Sequence, residues 1–511
     1  MNQLDFVCLR NMSKNSGYFN HYSKRKTMKK LVFGIITICS FTIHSTAQSA
    51  IWNAPVTVAL GSTYSNIYPR IALTTGDYPQ VIWGNNGTNK IYSSRLSISG
   101  FTSPIALNPD GVVPYIATWT GAEIATSGDM VYVVFSTEPV GNTAQVYTVR
   151  SIDGGWSFQD TVRVDQIGSD IPRFPSVAVG LSDNVIVNFM RFNSAFEDPE
   201  YSISRSTTGG TSYLAPINPT SAAPGFVCDC CPATVVTSGN QQVLLFRNND
   251  NNIREMWGCY STDGSASFTA AAKVDQTNWN VSSCPSSGPS GVIMGDSLVT
   301  TWMSGGDVYI SSSSLADQQI GVHRQLFPMG TGVHNFPVIA GKGDTLAIVW
   351  QGNNAGSTDV FFTYSVTGTA GLGVNVDTLT QGGSGSQTRP DIQFSNGKFH
   401  IVYSDNVGNN VKYLQGTIDP STLGTSETIT DSGLSIFATQ SEGKTLIKVR
   451  SELETEASVQ LINSAGQQVY SGKQQITKGI SGVPVPDVQK GIYYVILETK
   501  SGKIYKQKVA L

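Results

Sequence analysis

At residues 151–158 the chain reads Ser-Ile-Asp-Gly-Gly-Trp-Ser-Phe, which is the composition of a tight turn between two strands. Ser151 and Asp153 can bond to nearby backbone groups, and glycine at 154 and 155 permits a positive φ. Two further copies occupy 206–213 and 261–268, so that consecutive copies begin 55 residues apart. A fixed step of this length indicates a repeat protein, and the step predicts where the repeated units begin and end.

A second repeated feature is a short apolar strand, opened six times by proline and once by alanine. The seven copies are Pro69–Leu73, Ala122–Ala125, Pro175–Val179, Pro232–Val236, Pro289–Ile293, Pro337–Ala340 and Pro390–Phe394. Three more apolar segments follow most copies, and four strands in about 50 residues is typical of a β-propeller blade. We predict an all-β, seven-bladed β-propeller over residues 50–419, with six blades as the alternative count. A β-sandwich would not explain the even spacing.

The two ends of the predicted ring are expected to meet in one blade. The last unit, which starts at Pro390, supplies only three strands, and an extra strand, Pro55–Leu60, precedes the first unit. Pairing of this extra strand with the last unit would complete its blade and remove an open sheet edge. We therefore predict closure by the N-terminal strand.

Composition and the N-terminus restrict the compartment and the partners. Charged residues make up 14% of the 511 residues and the net charge is −3, which gives no basic surface for nucleic acid or anionic membrane. Met28-Lys29-Lys30 precedes an apolar stretch at 31–43 that is too short to span a bilayer, and Ser45-Thr46-Ala47 is a small-x-small cleavage site. We interpret residues 1–47 as an upstream extension plus a secretory signal, with the true start at Met28. No transmembrane segment is expected in the mature chain.

The composition changes after residue 419. Residues 420–432 are rich in Ser, Thr and Gly and are predicted to be a linker, and residues 433–511 are predicted to form a small Ig-like β-sandwich. The turn at 462–467, the strand at Val469-Tyr470, the Lys490–Tyr493 motif and the Gly502-Lys503 turn resemble the type A C-terminal sorting domain of the Bacteroidota type IX secretion system. This resemblance implies Sec export through the periplasm, the type IX machinery as partner, and release or attachment at the outer surface.

The repeated turn resembles the Asp-box (BNR repeat) of sialidase-like propellers, Ser-x-Asp-x-Gly-x-x-aromatic. The matching residues are Ser151, Asp153, Gly155 and Phe158 in the first copy, and Ser261, Asp263 and Phe268 in the third, where Ser265 replaces glycine. The copy at 206–213 lacks the aspartate. The resemblance implies a structural turn between the third and fourth strands, on the face away from the ligand. Sialidases, other glycosidases and non-catalytic binders share it, so it indicates fold more than function.

Three arginines lie beside the proline of a first strand, at Arg70, Arg173 and Arg389. The loops before the first strands lie at one end of a propeller with the loops between second and third strands, and we call this end the mouth. Clustered guanidinium groups are suited to bidentate capture of a carboxylate, as on an acidic sugar. We predict that these three and Arg191, in the next mouth loop, bind ligand; solvated ion pairs on the rim are the alternative. Aromatic side chains such as Tyr68 and Trp119 could stack on sugars.

Arg173-Phe174-Pro175 also resembles the Arg-Ile-Pro signature of sialidases. The resemblance implies that Arg173 holds an acidic substrate, that Asp198 in the following mouth loop is the acid/base carboxylate, and that Tyr403 is the nucleophile. On this alternative the chain is a sialidase-like glycoside hydrolase.

All five cysteines that follow the predicted signal fall within two neighbouring blades: Cys228, Cys230, Cys231, Cys259 and Cys284. In an oxidising compartment this clustering predicts two disulfides that pin mouth loops, with Cys284 and Cys259 as the partners of two cysteines in the 228–231 group. A thiolate site for a soft metal such as Cu(I) is the alternative. The histidines at 323, 334 and 400 have no metal-ligand spacing, so a structural zinc site is not favoured, and no cofactor is required.

Together these features predict a secreted or cell-surface propeller that recognises an extracellular ligand, in particular a glycan or glycoprotein, through its mouth. Two alternatives stay open. One is the sialidase-like hydrolase, and the other is a structural or adhesive surface protein whose ring serves only as a scaffold.

Overall fold

The computed structural model describes residues 49–61, 65–326, 332–354, 356–419, 434–441, 444–451, 454–463, 467–483, 488, 491–500 and 504–510. The predicted extension and signal at 1–47 and the predicted linker at 420–432 lie outside the described residues. The described part of the chain is built from antiparallel strands, with three short 3-10 turns at Leu181–Asp183, Pro219–Ala222 and Gly368–Gly371. The all-β prediction is therefore confirmed.

The chain enters through two short strands, β1 (Ala50–Trp52) and β2 (Val56–Ala59). Four antiparallel sheets then follow one another along the chain. Sheet 1 holds β3 (Asn66–Thr74), β4 (Tyr78–Asn85), β5 (Lys90–Ser97), β6 (Gly100–Phe101) and β7 (Ile105–Ala106); sheet 2 holds β8 (Glu123–Ser127), β9 (Met130–Ser136), β10 (Val146–Ser151) and β11 (Val162–Arg163); sheet 3 holds β12 (Ile171–Val179), β13 (Val185–Phe192) and β14 (Glu200–Ser206); sheet 4 holds β15 (Phe226–Val227), β16 (Thr234–Ser238), β17 (Gln241–Asn249), β18 (Met256–Ser261) and β19 (Ala270–Lys273).

Three more sheets complete the series, and the N-terminal strands join the last of them. Sheet 5 holds β20 (Ser290–Met294), β21 (Ser297–Ser304), β22 (Asp307–Ser314) and β23 (Ile320–Gln325); sheet 6 holds β24 (His334–Lys342), β25 (Thr345–Asn354), β26 (Ser357–Ser365) and β27 (Asp377–Thr378); sheet 7 holds β28 (Gln387–Ser395), β29 (Lys398–Asp405) and β30 (Asn410–Ile418), with β1 and β2 both paired to β30. The pairing of β2 with β30 is the predicted closure, and the pairing of β1 is an addition to it.

The seven sheets contact one another in a closed cycle. Each predicted first strand (β3, β8, β12, β16, β20, β24 and β28) contacts the first strand of the next sheet, and β28 contacts β3. Seven hydrophobic clusters fill the spaces between consecutive sheets, including one between sheets 7 and 1 around Trp83 and Tyr413. Burial of these apolar faces, at roughly 25 cal/mol per Å², is what holds neighbouring sheets together. This cycle supports the seven-blade prediction.

The repeated turn is held by its own side chains. In the first copy, Gly155 N donates to Ser151 Oγ at 2.8 Å, and Trp156 N and Ser157 N both donate to Asp153 Oδ1 at 3.0 Å. The copy at 261–268 repeats this pattern through Asp263. In the copy at 206–213, Thr208 Oγ1 replaces the carboxylate and accepts from Ser212 N at 3.1 Å. These turns follow β10, β14 and β18, at the end of the ring opposite to the mouth.

Each repeated turn is also tied to the preceding sheet through the carbonyl of its first glycine. Arg95 on β5 donates to Gly154 O, Arg150 on β10 donates to Gly209 O, and Asn184 donates to Gly264 O. The receiving glycines are 55 residues apart, as the turns are. The repeated turns therefore connect neighbouring sheets as well as the strands of one sheet.

The C-terminal segment forms two further sheets. One has the order β31 (Leu434–Ser441), β32 (Lys444–Ser451), β35 (Gly479–Val483), and the other has the order β34 (Gln468–Ile476), β33 (Thr455–Asn463), β36 (Ile492–Thr499), β37 (Ile504–Ala510). Their shared core contains Val449, Val459, Leu461, Val495 and Leu497. Two antiparallel sheets around one core form the predicted small β-sandwich.

Candidate functional site

A cavity of about 240 Å³ is lined by residues from the first strands of all seven sheets. Its lining includes Tyr68, Arg70, Glu123, Phe336 and Arg389. This volume lies below the ~300–1,000 Å³ of pockets for drug-sized ligands, so one sugar residue or one small group fits it better than an oligosaccharide. Because every sheet contributes to it, we call it the central cavity.

A bulge repeated in four first strands shapes the mouth end of this cavity. The strand register skips the residue before proline and the proline itself, and the residue before proline has φ between 50° and 55° at Tyr68, Phe174, Phe336 and Arg389. A positive φ at a bulky residue costs about 1–3 kcal/mol and is found mainly at functional sites. Three of the four residues, Tyr68, Phe336 and Arg389, line the central cavity.

One polar network in the cavity joins sheets 1 and 2. Tyr68 donates its hydroxyl hydrogen to Glu123 Oε1 at 2.6 Å, and Arg70 Nε lies 3.0 Å from Glu123 Oε2. Arg70 Nη2 also donates to the Tyr68 hydroxyl at 2.5 Å. Burial raises the pKa of Tyr68, the nearby positive charge of Arg70 opposes that rise, and the charge of Glu123 adds to it. Arg70 is thus already neutralised by a carboxylate of the chain.

Arg389 differs from Arg70 because no carboxylate pairs with it in the described residues. Arg389 is only 6% exposed. Its guanidinium carbon lies 3.4 Å from the centre of the Phe336 ring and 5.2 Å from the centre of the Tyr68 ring. Nε donates to Thr118 O, but Nη2 has no hydrogen-bond partner among the described residues. Burial lowers the pKa of Arg389, yet the usual value is so high that the group stays charged at neutral pH.

Asp391 is the second carboxyl group of the cavity and lies two residues from Arg389. Its oxygens accept from Ile71 N and Ile392 N, both at 2.9 Å. Burial raises the pKa of Asp391 to about 6, although Arg70 and the two amide bonds act in the other direction. The net charge of the cavity therefore becomes more positive as the pH falls through about 6.

The predicted arginine set divides into three groups. Arg70 and Arg389 converge on Tyr68 in the central cavity. Arg173 instead packs against Phe174 at 4.4 Å, and its Nη2 donates to Tyr115 Oη at 3.3 Å, outside the cavity lining. Arg191 forms ion pairs with Asp170 at 2.6 Å and Glu200 at 3.3 Å within its own sheet.

The structure does not bring the predicted catalytic residues Arg173, Asp198 and Tyr403 into one cluster. Asp198 is exposed in the loop after β13, where Asn193 Nδ2 donates to its Oδ2 at 2.9 Å. Tyr403 is 4% exposed and packs in the hydrophobic cluster between sheets 6 and 7. Burial raises the pKa of Tyr403 to about 12, which disfavours the phenolate.

The position of Tyr403 has a structural explanation. It lies on the second strand opposite the two skipped residues of the β28 bulge, as the register passes from Ser404 to Val402. The corresponding residues in sheets 1, 3 and 6 are Trp83, Phe189 and Trp350, all buried. A buried aromatic residue on the second strand therefore lies opposite each bulge.

The cysteine prediction is half correct. A disulfide joins Cys230 and Cys284 across the mouth loops of sheets 4 and 5, as expected. The second predicted disulfide is wrong, because Cys259 lies on β18 with its side chain in the core between sheets 3 and 4, away from the mouth. Cys228, Cys230 and Cys231 bring their sulfur atoms within 4.8 Å of one another, but Cys230 cannot be a thiolate while it is paired. The soft-metal alternative stays a prediction.

Sequence reasoning missed the chemical roles of Glu123, Phe336 and Asp391. Tyr68 and Glu123 are 55 residues apart, the step of the repeat, so aligned units would have placed them on neighbouring first strands. Phe336 and Arg389 hold the same place in their units, one residue before proline. The bulge that turns such residues into the cavity has no signal in a single copy.

The comparisons with known proteins concern two parts of the chain. No curated protein matches it. Among solved structures, a Dyadobacter fermentans protein of unknown function is 12% identical, with 72% of this chain and 99% of that chain covered and a TM-score of 0.44. An alpha-L-arabinofuranosidase from Fusarium graminearum is 13% identical (59% and 93% covered, TM-score 0.40), and Trypanosoma rangeli sialidase in complex with the inhibitor DANA is 9% identical (90% and 87% covered, TM-score 0.41). Similarities this weak carry no inference about activity.

The C-terminal match is specific. Residues 441–510 match the secretion system C-terminal sorting domain, and these residues include most of the two-sheet sandwich. The described residues contain no helix with the length and apolar character needed to cross a bilayer. The C-terminal segment is a type IX sorting domain, and it directs this chain to the cell surface or the extracellular space.

Proposed function

We propose that the chain is an exported ligand-binding protein whose central cavity holds an acidic group, in particular the carboxylate of an extracellular glycan. The observation that carries this proposal is Arg389 Nη2, a buried guanidinium nitrogen with no hydrogen-bond partner among the described residues. A buried charged donor without an acceptor is costly, and a ligand that supplies the acceptor recovers that cost.

A carboxylate is the acceptor that best suits this nitrogen. Guanidinium groups bind planar anions through paired hydrogen bonds, and such charge-assisted bonds are about twice as strong as neutral ones. Arg70 pairs with Glu123, and Asp391 accepts from two backbone amides, so Arg389 is the cation of the cavity that has no ion pair among the described residues. The amino group of a ligand would be repelled there.

The walls around Arg389 favour a sugar ring as the carrier of that carboxylate. Tyr68, Trp119 and Phe336 present aromatic side chains to the cavity, and Ser176, Ser286 and Ser290 add hydroxyl-bearing residues to its lining. Aromatic faces stack on apolar patches of a pyranose, and hydroxyl groups exchange hydrogen bonds with sugar hydroxyls. Export to the cell surface or beyond exposes the protein to glycans and glycoproteins.

The test is binding of the purified protein to an array of glycans that end in N-acetylneuraminic, glucuronic or galacturonic acid, each beside its carboxyl-reduced counterpart. We expect binding to acidic members only, weaker by about 30-fold or more in Arg389→Met, because a charged hydrogen-bonded contact in a buried site is worth about 2–5 kcal/mol. Lys398→Met is the matched control, since Lys398 is an exposed cation on β29 that forms no ion pair among the described residues.

Equal binding of acidic and reduced glycans would contradict the proposed carboxylate. Absence of any glycan binding would instead favour the structural or adhesive alternative. The thermal midpoint of Arg389→Met should change little, because removal of a desolvated charge offsets the loss of the bond to Thr118 O and of the contacts with the Tyr68 and Phe336 rings. A midpoint that falls with the affinity would mean that Arg389 acts through folding.

A sialidase-like glycoside hydrolase is the second candidate, and one observation favours it. A tyrosine nucleophile needs a base within hydrogen-bond distance, and Tyr68 lies 2.6 Å from Glu123 in the cavity that Arg389 shares. In this alternative Tyr68, rather than Tyr403, is the nucleophile, and Glu123 is its base. Hydrolysis of a chromogenic acidic glycoside that disappears in Tyr68→Phe, while binding persists, would establish it; binding without turnover in the wild type would eliminate it.

A further inference from the structure

Four cysteines lie together in the mouth loops of sheets 4 and 5, and none of them lines the central cavity. Cys228, Cys230 and Cys231 occupy the loop between β15 and β16, and Cys284 lies in the loop before β20. The disulfide joins Cys230 to Cys284, and Cys228 and Cys231 are thiols. One chain segment therefore holds a disulfide sulfur between two free thiols.

The two thiols are close to the disulfide and to each other. Cys228 Sγ lies 3.6 Å from Cys230 Sγ and 2.8 Å from Cys231 Sγ. Both thiol residues are 0% exposed, whereas Cys284 is exposed. An external reagent would reach Cys284 far more easily than Cys228, but Cys228 is placed to react within the molecule.

The surroundings of Cys228 favour a thiolate. Arg254 Nη1 donates to Cys228 Sγ at 2.9 Å, and Arg247, which is 0% exposed, adds a second positive charge. The carboxylate nearest to Arg254 is the exposed Asp229, at 4.0 Å. The Cys231 hydrogen bond, followed by these arginines, outweighs burial and lowers the pKa of Cys228 to about 7, while burial raises the pKa of Cys231.

We propose that these cysteines form an intramolecular thiol–disulfide exchange site, in which the disulfide moves from Cys230–Cys284 to Cys228–Cys231. The Cys228 thiolate attacks Cys230 Sγ, a Cys228–Cys230 bond forms, and Cys284 leaves as a thiolate that takes up a proton. The Cys231 thiolate then attacks Cys228 Sγ and displaces Cys230 as the second thiolate. The protons lost by Cys228 and Cys231 end on Cys284 and Cys230, so no external oxidant or reductant is required.

The exchange would release one wall of the central cavity. Ser286, Gly288, Pro289 and Ser290 follow Cys284 directly and line that cavity. Gly288 packs so closely on Pro232 O that a side chain there would collide with it, which shows how tightly the two cysteine-bearing loops are held together. Loss of the Cys230–Cys284 bond removes the covalent tie between these loops. The inference does not rest on the proposed function, since its first readout is the cysteine pairing.

The experiment incubates the full chain without reductant in an excess of a maleimide and maps labelled cysteines by peptide mass spectrometry over time. We expect label to accumulate on Cys230 and Cys284 together with a Cys228–Cys231 disulfide. Labelling of Cys284 should be about tenfold faster at pH 8 than at pH 6, because exchange depends on the thiolate fraction of the attacking sulfur. In Cys228→Ser, Cys230 and Cys284 should stay unlabelled.

A second variant separates exchange from unfolding. Cys231→Ser should stop after the first step, with Cys284 labelled and a Cys228–Cys230 disulfide, whereas an unfolded protein would also expose Cys259 to label. Label confined to Cys228 and Cys231, disulfides at both pairs in the purified chain, or equal Cys284 labelling in Cys228→Ser and wild type would each overturn the proposal.

Discussion

The repeated turns and the central cavity are built by opposite strategies. The turns at 151–158, 206–213 and 261–268 satisfy most of their polar atoms: side-chain oxygens accept from turn amides, and the preceding sheet supplies a donor to the carbonyl of the first glycine. The Ser265 hydroxyl is the exception. The cavity keeps a buried guanidinium nitrogen without a partner among the described residues, and three bulky residues at positive φ (Tyr68, Phe336 and Arg389) line it. The satisfied groups stabilise the ring, whereas the Arg389 nitrogen is the group that we propose meets a ligand.

The largest change in the free energy of unfolding is expected from Arg95→Met, which removes a bond between a turn and the preceding sheet. Arg95 is 8% exposed, donates to Thr74 Oγ1 at 3.0 Å and to Gly154 O, and lies between the rings of Tyr78 and Trp156. Its loss leaves a turn carbonyl without a donor and removes two cation–π contacts, at a cost of about 2–4 kcal/mol. Urea denaturation measures this loss. The control Lys398→Met, at an exposed cation with no ion pair among the described residues, should lose less than about 1 kcal/mol. An equal loss in the two variants would show that sheet-to-sheet bonds do not matter.

An exchange between two turns tests the role of the carboxylate. Asp153→Thr gives the first turn the residue of the second, and Thr208→Asp does the reverse. We expect a loss of about 1 kcal/mol in the former and a gain of about 0.5 kcal/mol in the latter, since a carboxylate accepts more of the turn's amides and hydroxyls. Burial would raise the pKa of Asp153, but hydrogen bonds from Ser157 and Ser151 outweigh it and lower that pKa to about 2.

The pH dependence of the free energy of unfolding tests whether the Asp153 charge stabilises the turn. A folded pKa below the unfolded value of about 3.9 means that the carboxylate stabilises the fold above about pH 4 and that this stabilisation is lost as the pH falls towards 2. The stability difference between wild type and Asp153→Thr should therefore shrink over that interval. A difference that is constant from pH 7 to pH 2 would contradict the role of the charge.

A smaller effect is expected in the pH dependence of ligand binding. Asp391 has a pKa of about 6, so it loses its negative charge between pH 7 and pH 5 beside Arg70, Arg389 and Glu123. An acidic sugar remains ionised there, and its affinity should rise about three- to tenfold, or roughly 1 kcal/mol. Titration calorimetry at both pH values measures this change. Asp391→Asn should remove the pH dependence, and a pH effect that persists in it must come from another group.

The smallest effect is expected from Ser265→Gly. Ser265 has a φ of 64° where the first turn has glycine, and its buried hydroxyl has no partner among the described residues. Glycine removes the strain and the unsatisfied hydroxyl but adds freedom to the unfolded chain, for a net gain of about 0.5 kcal/mol. A lower thermal midpoint would show that this hydroxyl has a partner in solution.

The turns and the closure could be predicted because their signals repeat along the chain. The serine of each turn, and its aspartate or Thr208, act within eight residues. The extra strand at 55–60 follows from a count of strands per unit. The same step also runs through Arg95 and Arg150, which could have predicted the sheet-to-sheet bonds. A signal that repeats at a fixed step identifies residues with the same structural role in every unit.

The cavity could be predicted only in outline. Arg70 and Arg389 were both recognised, but they follow and precede their prolines, and their convergence depends on a bulge that rotates one of them into the cavity. The sialidase resemblance predicts Tyr403 as a nucleophile, but Tyr403 lies opposite the bulge of β28 and packs in the core. The residues that we propose bind the ligand differ between units, so no repeated pattern could reveal their arrangement.

One thermal-shift titration tests the central claim, which is that stability lies in the repeated turns and recognition in the central cavity. Wild type, Arg95→Met and Arg389→Met are melted in rising concentrations of the best acidic glycan from the array. The midpoint without ligand reports stability, and its rise with ligand reports affinity, about 2.7 kcal/mol at 100 times the dissociation constant. We expect Arg95→Met to start lower but to retain the rise, and Arg389→Met to start close to wild type but to lose it. A retained rise in Arg389→Met, or a lost rise in Arg95→Met, would contradict the account.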